Sequence, residues 1–277
     1  MRRDLLPLVR EALRDRYDVE REIGRGGAAR VFQARDLTGQ PVALKILHPE
    51  LQVSTTADRF LREIRLTAQL EHPNIARLID SGERDWLVYY VMSYVDGPSL
   101  REVLDRTRQL SVDDARRVAL DVLAALDHAH ARGVTHRDVK PENIMVSREG
   151  AVLVDFGIAR AIDASAADRL TRSGIAVGTS QYMSPEQITA TGEPDHRSDL
   201  YSVGCVLFEC LMGRPPFVSR SDAAVLQQHL TEPPPELMEL RPAVPAAMSA
   251  AVRRALSKTP QERWPTARAM IDALSRG

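Results

Sequence analysis

Apolar residues follow two regimes along the chain, and the change between them comes near residues 93–98. From Tyr17 to about Val95 the segments are short and β-rich. One of them, Val42-Ala43-Leu44-Lys45, reads as a strand that buries Val42 and Leu44. Turn signals punctuate this stretch at Gly24–Gly27, Thr38-Gly39-Gln40-Pro41 and Asp80-Ser81-Gly82. A single helix, roughly Ala57–Leu70, interrupts it, and residues 5–15 read as a short amphipathic helix ahead of it. After Gly97-Pro98 the helical period takes over. Ser111 followed by Asp114 resembles a capping box, and Ala115, Val118, Ala119, Val122, Leu126 and Ala129 then share one helix face. Further helices are predicted near 199–212, 221–230 and 246–256, with Pro-rich connections at 233–235 and 242–245. The pattern predicts a small β-rich lobe followed by a larger helical lobe, without an internal repeat.

Composition narrows the class. The 277 residues are 44% hydrophobic, which rules out a disordered tail and suits one large domain or two lobes sharing a core. Basic and acidic residues number 37 and 38, a balance that argues against nucleic acid or anionic lipid as partners. Arg2 and Arg3 precede only a short apolar stretch that Pro7 interrupts, so no signal peptide is predicted. The longest apolar run, Tyr201 to Met212, falls short of the roughly 18 residues of a membrane span. The expectation is a soluble cytoplasmic chain, standing alone or forming the cytoplasmic part of a longer membrane-anchored protein. Cys205 and Cys210 lie five apart in that apolar run and point in different directions on a helix, so they read as reduced core thiols.

Scarcity is the more useful compositional signal. Lysine occurs only at positions 45, 140 and 258, arginine supplying every other basic residue, and asparagine only at 74 and 143. A chain that uses arginine wherever a cation will serve marks with its few lysines the places where arginine fails. Lys45 ends the strand just described, where a compact ammonium suits two phosphate groups at once, and Glu63 on the following helix is placed to pair with it. Ahead of it, Ile23-Gly24-Arg25-Gly26-Gly27-Ala28-Ala29-Arg30-Val31 is a glycine-rich turn whose small residues let backbone N–H groups approach phosphate oxygens, with Val31 able to cover a base. It lacks the Gly-Lys-Ser/Thr ending of a P-loop and no helix follows it. The densest constellation is His136-Arg137-Asp138-Val139-Lys140-Pro141-Glu142-Asn143. There Asp138 can accept a hydroxyl proton, Lys140 can neutralise a transferring phosphoryl group, and Asn143 can ligate a metal. Asp155-Phe156-Gly157, after the apolar strand 151–154, adds a second metal-binding carboxylate.

From about Tyr17 to Ala273, in this order, these motifs resemble the protein kinases of the Hanks type, specifically the bacterial eukaryotic-like serine/threonine kinases. The resemblance implies an α+β, bilobal protein kinase fold: a 1–16 helical extension, then a kinase domain over 17–274. Its N-lobe covers about 17–94, the hinge about 92–98 and the C-lobe about 98–274. It implies that Ile23, Gly24, Gly26, Gly27, Val31 and Ala43 surround ATP, that Met92, Tyr94 and Val95 form the hinge, and that Met145 lies under the adenine. Lys45 becomes the phosphate-binding lysine with Glu63 as its partner, Asp138 the catalytic base and Lys140 a phosphate contact. Asn143 and Asp155 hold Mg²⁺ or Mn²⁺. Ala29 stands where a third glycine is usual, and Ser184-Pro185-Glu186 where Ala-Pro-Glu is usual, with Glu186 expected to pair with Arg263. Asp199 to Gly204 and Gly213-Arg214-Pro215-Pro216-Phe217 fit the large lobe. Lys140 and Thr179 fit serine/threonine rather than tyrosine specificity, so the expected partners are proteins with Ser/Thr acceptors. Arg137 before the base implies control by loop phosphorylation, with Thr171 and Ser173, flanked by Arg169 and Arg172, as the expected sites. Family resemblance further suggests a homodimer through the N-lobe. Two rivals share parts of this reading: a nucleotide-binding scaffold without catalysis, against which Lys45, Asp138, Asn143 and Asp155 argue, and a small-molecule phosphotransferase, which usually lacks the Ser-Pro-Glu and Gly-Arg-Pro-Pro-Phe elements.

Overall fold

The computed structural model describes residues 5–26, 29–47, 64, 67–84, 87–156, 180–190 and 194–276. A helix, α1 (Leu6–Leu13), precedes five strands: β1 (Tyr17–Arg25), β2 (Ala29–Asp36), β3 (Pro41–Leu47), β4 (Leu78–Arg84) and β5 (Leu87–Ser93). They form one antiparallel sheet in the order β1-β2-β3-β5-β4. Strand alternation gives this sheet two distinct faces. Val19, Phe32, Leu44 and Val91 turn one way and pack with Val9 and Leu13 of α1, whose docking is fixed by Arg10 donating to the carbonyls of Val19 and Glu20 at 2.6 and 2.5 Å. Ala29, Ala43, Tyr90 and Met92 turn the other way, toward Val31, Tyr94 and Val154.

Of the helix expected over 57–70, residues 64 and 67–70 are described. Ile64 and Thr67 are helical and Ile64 is buried in this second cluster, whereas 68–69 form a turn closed by the Leu70 N–H on the Thr67 carbonyl, so the helix ends before the expected Leu70. Ala29 resolves simply. It lies in extended backbone at the start of β2, opposite Leu47, so it needs no positive φ and a methyl group fits.

The chain leaves the sheet through residues 93–98. At Gly97 a Cβ would overlap the carbonyl of Val146, so only glycine lets this connection pass close to the strand that carries Met145. Helix α2 (Leu100–Thr107) follows, closed by a capping box between Ser99 and Glu102. Helix α3 (Val112–His130) buries Ala115, Val118, Ala119, Val122, Leu126 and Ala129, the face that the 3.6 period marks. Ser111 caps it by accepting from the Asp114 N–H, but the Asp114 carboxylate takes the Ser111 hydroxyl, being one methylene shorter than the glutamate of a full box.

A two-stranded ladder, β6 (Ile144–Val146) with β7 (Ala151–Leu153), comes next. Beyond it lie α4 (Pro185–Thr189), α5 (His196–Met212), α6 (Asp222–Thr231), α7 (Leu237–Leu240), α8 (Ala246–Ala255) and α9 (Ala267–Ser275). Helix α5 starts three residues before the expected 199, because Asp195 caps it through the Arg197 N–H. It is buried nearly all round, against α3 on one side and α8 on the other. Cys205 and Cys210 are free thiols in that core, their pKa values pushed up by burial. No helix among the described residues is long and apolar enough to cross a membrane.

Candidate functional site

β3 places Lys45 between Val31 of β2 and Tyr90 of β5, all three on the face turned away from α1. Its ammonium lies 2.6 Å from Oδ2 of Asp155, which follows β7. The Tyr90 hydroxyl donates to the other oxygen, Oδ1, at 2.7 Å. Burial pushes the Asp155 carboxyl up, but the charge of Lys45 and the hydrogen bonds from Lys45 and Tyr90 outweigh it and hold the group below its ordinary range. Asp155 has φ +68, a left-handed conformation that a short polar side chain tolerates.

The 136–143 loop is suspended from a single buried carboxylate. Asp199 on α5 accepts from the backbone N–H of His136 at 2.9 Å and of Arg137 at 2.7 Å, and its Oδ2 lies 2.7 Å from His130 Nε2. These partners hold Arg137 at φ +69, turning the chain so that Asp138 faces outward beside Lys140. Burial raises the Asp199 carboxyl, and the bond to His130 and the loop amides bring it below the usual value. His136 closes the loop from the other side: Nδ1 accepts from the Asp138 N–H, Nε2 meets the Val154 carbonyl at 2.8 Å, and the ring edge packs on Phe156.

Asp138 is bound on three sides. The Lys140 ammonium lies 2.9 and 2.7 Å from its two oxygens, and Asn143 Nδ2 donates to its carbonyl and to Oδ2. Since the Asn143 amide nitrogen is spent on Asp138, its carbonyl oxygen is left as an acceptor. The β6–β7 ladder brings the Asn143 backbone beside the segment that leads into Asp155, because Val154 N–H donates to the Asn143 backbone carbonyl at 2.9 Å. An amide oxygen and an ionised carboxylate form a hard donor pair suited to Mg²⁺ or Mn²⁺, which keep water and phosphate oxygens in their remaining positions.

The wall expected around a base is partly assembled. Ala43 pairs with Met92 across β3 and β5, and both lie in one cluster with Val31 and Tyr94. Gly24 sits opposite Val31, and Gly26 N–H closes the turn on the Ala29 carbonyl at 2.9 Å, with Ile23 part-exposed just before. Val95 is half-buried, and Met145 on β6 bridges to Ser99. Gly27, Glu63, Gly157, Thr171, Ser173 and Thr179 lie outside the described residues.

Away from these residues, Arg263 grips Glu186 through two bonds of 2.7 Å while fully buried and stacked on Tyr201. Two further features were not visible as site residues in the sequence. One is Arg101, which joins Glu142 at 3.0 Å, Glu209 at 2.8 Å and the Tyr182 hydroxyl at 2.6 Å, tying α2 to the 136–143 loop and to α5. The other is Tyr90, whose role depends on strand phase: it is the tyrosine of the Tyr89-Tyr90 pair that shares a face with Lys45.

Against known proteins, a family model described as "Protein kinase domain" matches residues 17–273. A probable serine/threonine-protein kinase PknB of Bifidobacterium longum is 45% identical over 265 residues, covering 91% of this chain and 38% of the relative. The serine/threonine-protein kinase PknB of Mycolicibacterium smegmatis is 42% identical over 272 residues, 95% of this chain and 43% of the relative. The chain thus spans about two fifths of the length of the curated relatives it matches.

Proposed function

The chain belongs to the protein kinase domain family, and on that premise we propose that it is a serine/threonine kinase transferring the γ-phosphoryl group of ATP to protein hydroxyls. The observation that carries the reading is the convergence of Lys45 on Asp155 and of Lys140 and Asn143 on Asp138. Catalysis in such a site is mostly positioning and charge neutralisation. A substrate Ser or Thr oxygen forms the new bond to the γ-phosphorus as the bond to the β–γ bridging oxygen breaks. The hydroxyl proton passes to Asp138, and ADP leaves. Lys140, already on Asp138, follows the charge as it moves onto the phosphoryl oxygens. Lys45 holds the phosphates, with Glu63 as its further partner. Asn143 and Asp155 are the residues that would hold Mg²⁺ or Mn²⁺, which when bound offsets phosphate charge. Ile23, Gly24, Val31, Ala43, Met92, Tyr94, Val95 and Met145 are the residues that would surround the purine.

Thr171 and Ser173 are the proposed autophosphorylation sites, with the Arg137 guanidinium as the group that reads the phosphate and Thr179 beside the acceptor. The kinase domain is placed at 17–274, after a helical extension over 1–16, and the N-lobe is the proposed homodimer surface. The relatives' names support the serine/threonine class. The test is incubation with γ-labelled ATP and a generic basic protein, followed by phosphoamino-acid analysis. Label on Ser and Thr is expected; label on Tyr alone, or none on protein, contradicts the proposal.

A further inference from the structure

Burying a tyrosine hydroxyl is unfavourable unless it finds a partner, and an aliphatic residue would fill a strand position facing a core at no such risk. Tyr90 is 2% exposed, and apart from Lys45 it shares its face with apolar neighbours, Ala43, Met92 and Val88. Its hydroxyl reaches across to Asp155 Oδ1 at 2.7 Å, while Lys45, its cross-strand partner, takes Oδ2 at 2.6 Å and passes 5.7 Å from the Tyr90 ring centre. One carboxylate is therefore held at both oxygens by two adjacent strands of the sheet. A hydrogen bond to an ionised acceptor is short and strong, and two such bonds fix the plane of the carboxylate as well as its position.

We propose that Tyr90 is a positioning residue of the cation site: its hydroxyl fixes the plane of the Asp155 carboxylate and thereby sets the affinity of the nucleotide-loaded protein for its divalent metal. The inference rests on the reading of Asp155 and Asn143 as metal-holding residues. Among the described residues each Asp155 oxygen accepts one donor, Tyr90 on Oδ1 and Lys45 on Oδ2, and these two set the plane from which its remaining lone-pair directions follow. Without the hydroxyl, Oδ1 loses that donor and the carboxylate is freer to rotate about its bond to Cβ. Groups that orient a metal-holding carboxylate in this way are worth about 10- to 100-fold in metal affinity when removed.

The decisive variant is Tyr90→Phe, which keeps the ring and deletes one oxygen. Mn²⁺ binding to protein saturated with a non-hydrolysable ATP analogue is followed by electron paramagnetic resonance, and metal-free nucleotide binding by calorimetry. We expect Mn²⁺ affinity to fall about 10- to 100-fold, with metal-free nucleotide affinity close to wild type and Tm lowered by no more than the loss of one buried hydrogen bond. In turnover assays the half-saturating Mg²⁺ concentration rises by the same factor, and kcat recovers at saturating Mg²⁺. Tyr90→Met, which also lacks the donor but packs differently, is expected to lose Mn²⁺ affinity likewise. Unchanged Mn²⁺ affinity in either folded variant overturns the proposal. So does a parallel loss of Tm and metal-free nucleotide affinity, the signature of a packing role. Wild-type protein that binds nucleotide but no Mn²⁺ overturns the assignment of Asp155 and Asn143 as well, whereas wild type with intact metal binding and unaffected variants overturns Tyr90 alone.

Discussion

At the scale of single residues, the three lysines end on specific acceptors: Lys45 on Asp155, Lys140 on Asp138, and Lys258 on the Gln228 carbonyl at 3.2 Å with its ammonium over the Phe217 ring. Lys258 is pushed down to about 8 by burial and by Arg263. It stands beside His229, a buried imidazole whose Nδ1 is 2.7 Å from the Tyr201 hydroxyl and whose ring edge meets Phe217. Burial, then the Lys258 charge, lower His229 from 6.5 to about 4. The unfolded chain therefore binds a proton at pH values where the folded protein refuses it. This contribution to stability is fully present above pH 6.5 and is lost as pH falls toward 4. Between pH 6.5 and about pH 4.5 the loss amounts to about 2 kcal/mol. Urea unfolding across that range checks it against His229→Phe, whose curve should be flatter by that amount; identical slopes would contradict the assignment. Scarcity in the sequence pointed to Lys45, Lys140 and Asn143 because each had no substitute. It was silent on Tyr90, where what matters is which of two adjacent tyrosines faces Lys45, a question settled only by strand pairing.

Elements were legible where a period was long and a cap was simple. The 19 residues of α3 repeat their apolar positions over five turns, and the structure buries that face. The five-residue α4 carries no readable period, yet it bears Glu186, whose partner Arg263 lies 77 positions on, a separation no local pattern spans. Arg263 also donates to the carbonyls of Ser257, Arg197 and Lys258, so one guanidinium fastens α4, the start of α5 and the connection from α8 to α9. Burial raises Glu186, and Arg263 with Ser198 brings it below its ordinary value. Arg263→Ala would leave a buried carboxylate without its cation and is expected to cost about 3–5 kcal/mol. A double variant Glu186→Gln, Arg263→Met should be markedly less destabilised than the sum of its single changes. Denaturant midpoints for Glu186→Gln, Arg263→Met and the double variant test this, and simple additivity would contradict it.

At the scale of the whole molecule, the organisation follows from a sheet with two different faces. One is sealed by α1, whose Val9 and Leu13 complete an apolar layer. The other carries Lys45 and Tyr90 to Asp155, at the junction with the helical part, where α5 suspends the 136–143 loop from Asp199. The division into a β-rich and a helical lobe was readable because periodicity changes at the connection itself. The suspension from Asp199 was not, because its carboxylate and the amides it holds are more than sixty residues apart. We propose that this junction transfers phosphate with Asp138 as the base. Intact mass after incubating purified, dephosphorylated protein with ATP and Mn²⁺, beside Asp138→Asn, tests it most directly. Phosphate added to wild type alone, mapping to Thr171 or Ser173, is the predicted result. Equal phosphate on the variant, or none on wild type shown to bind nucleotide, would contradict it.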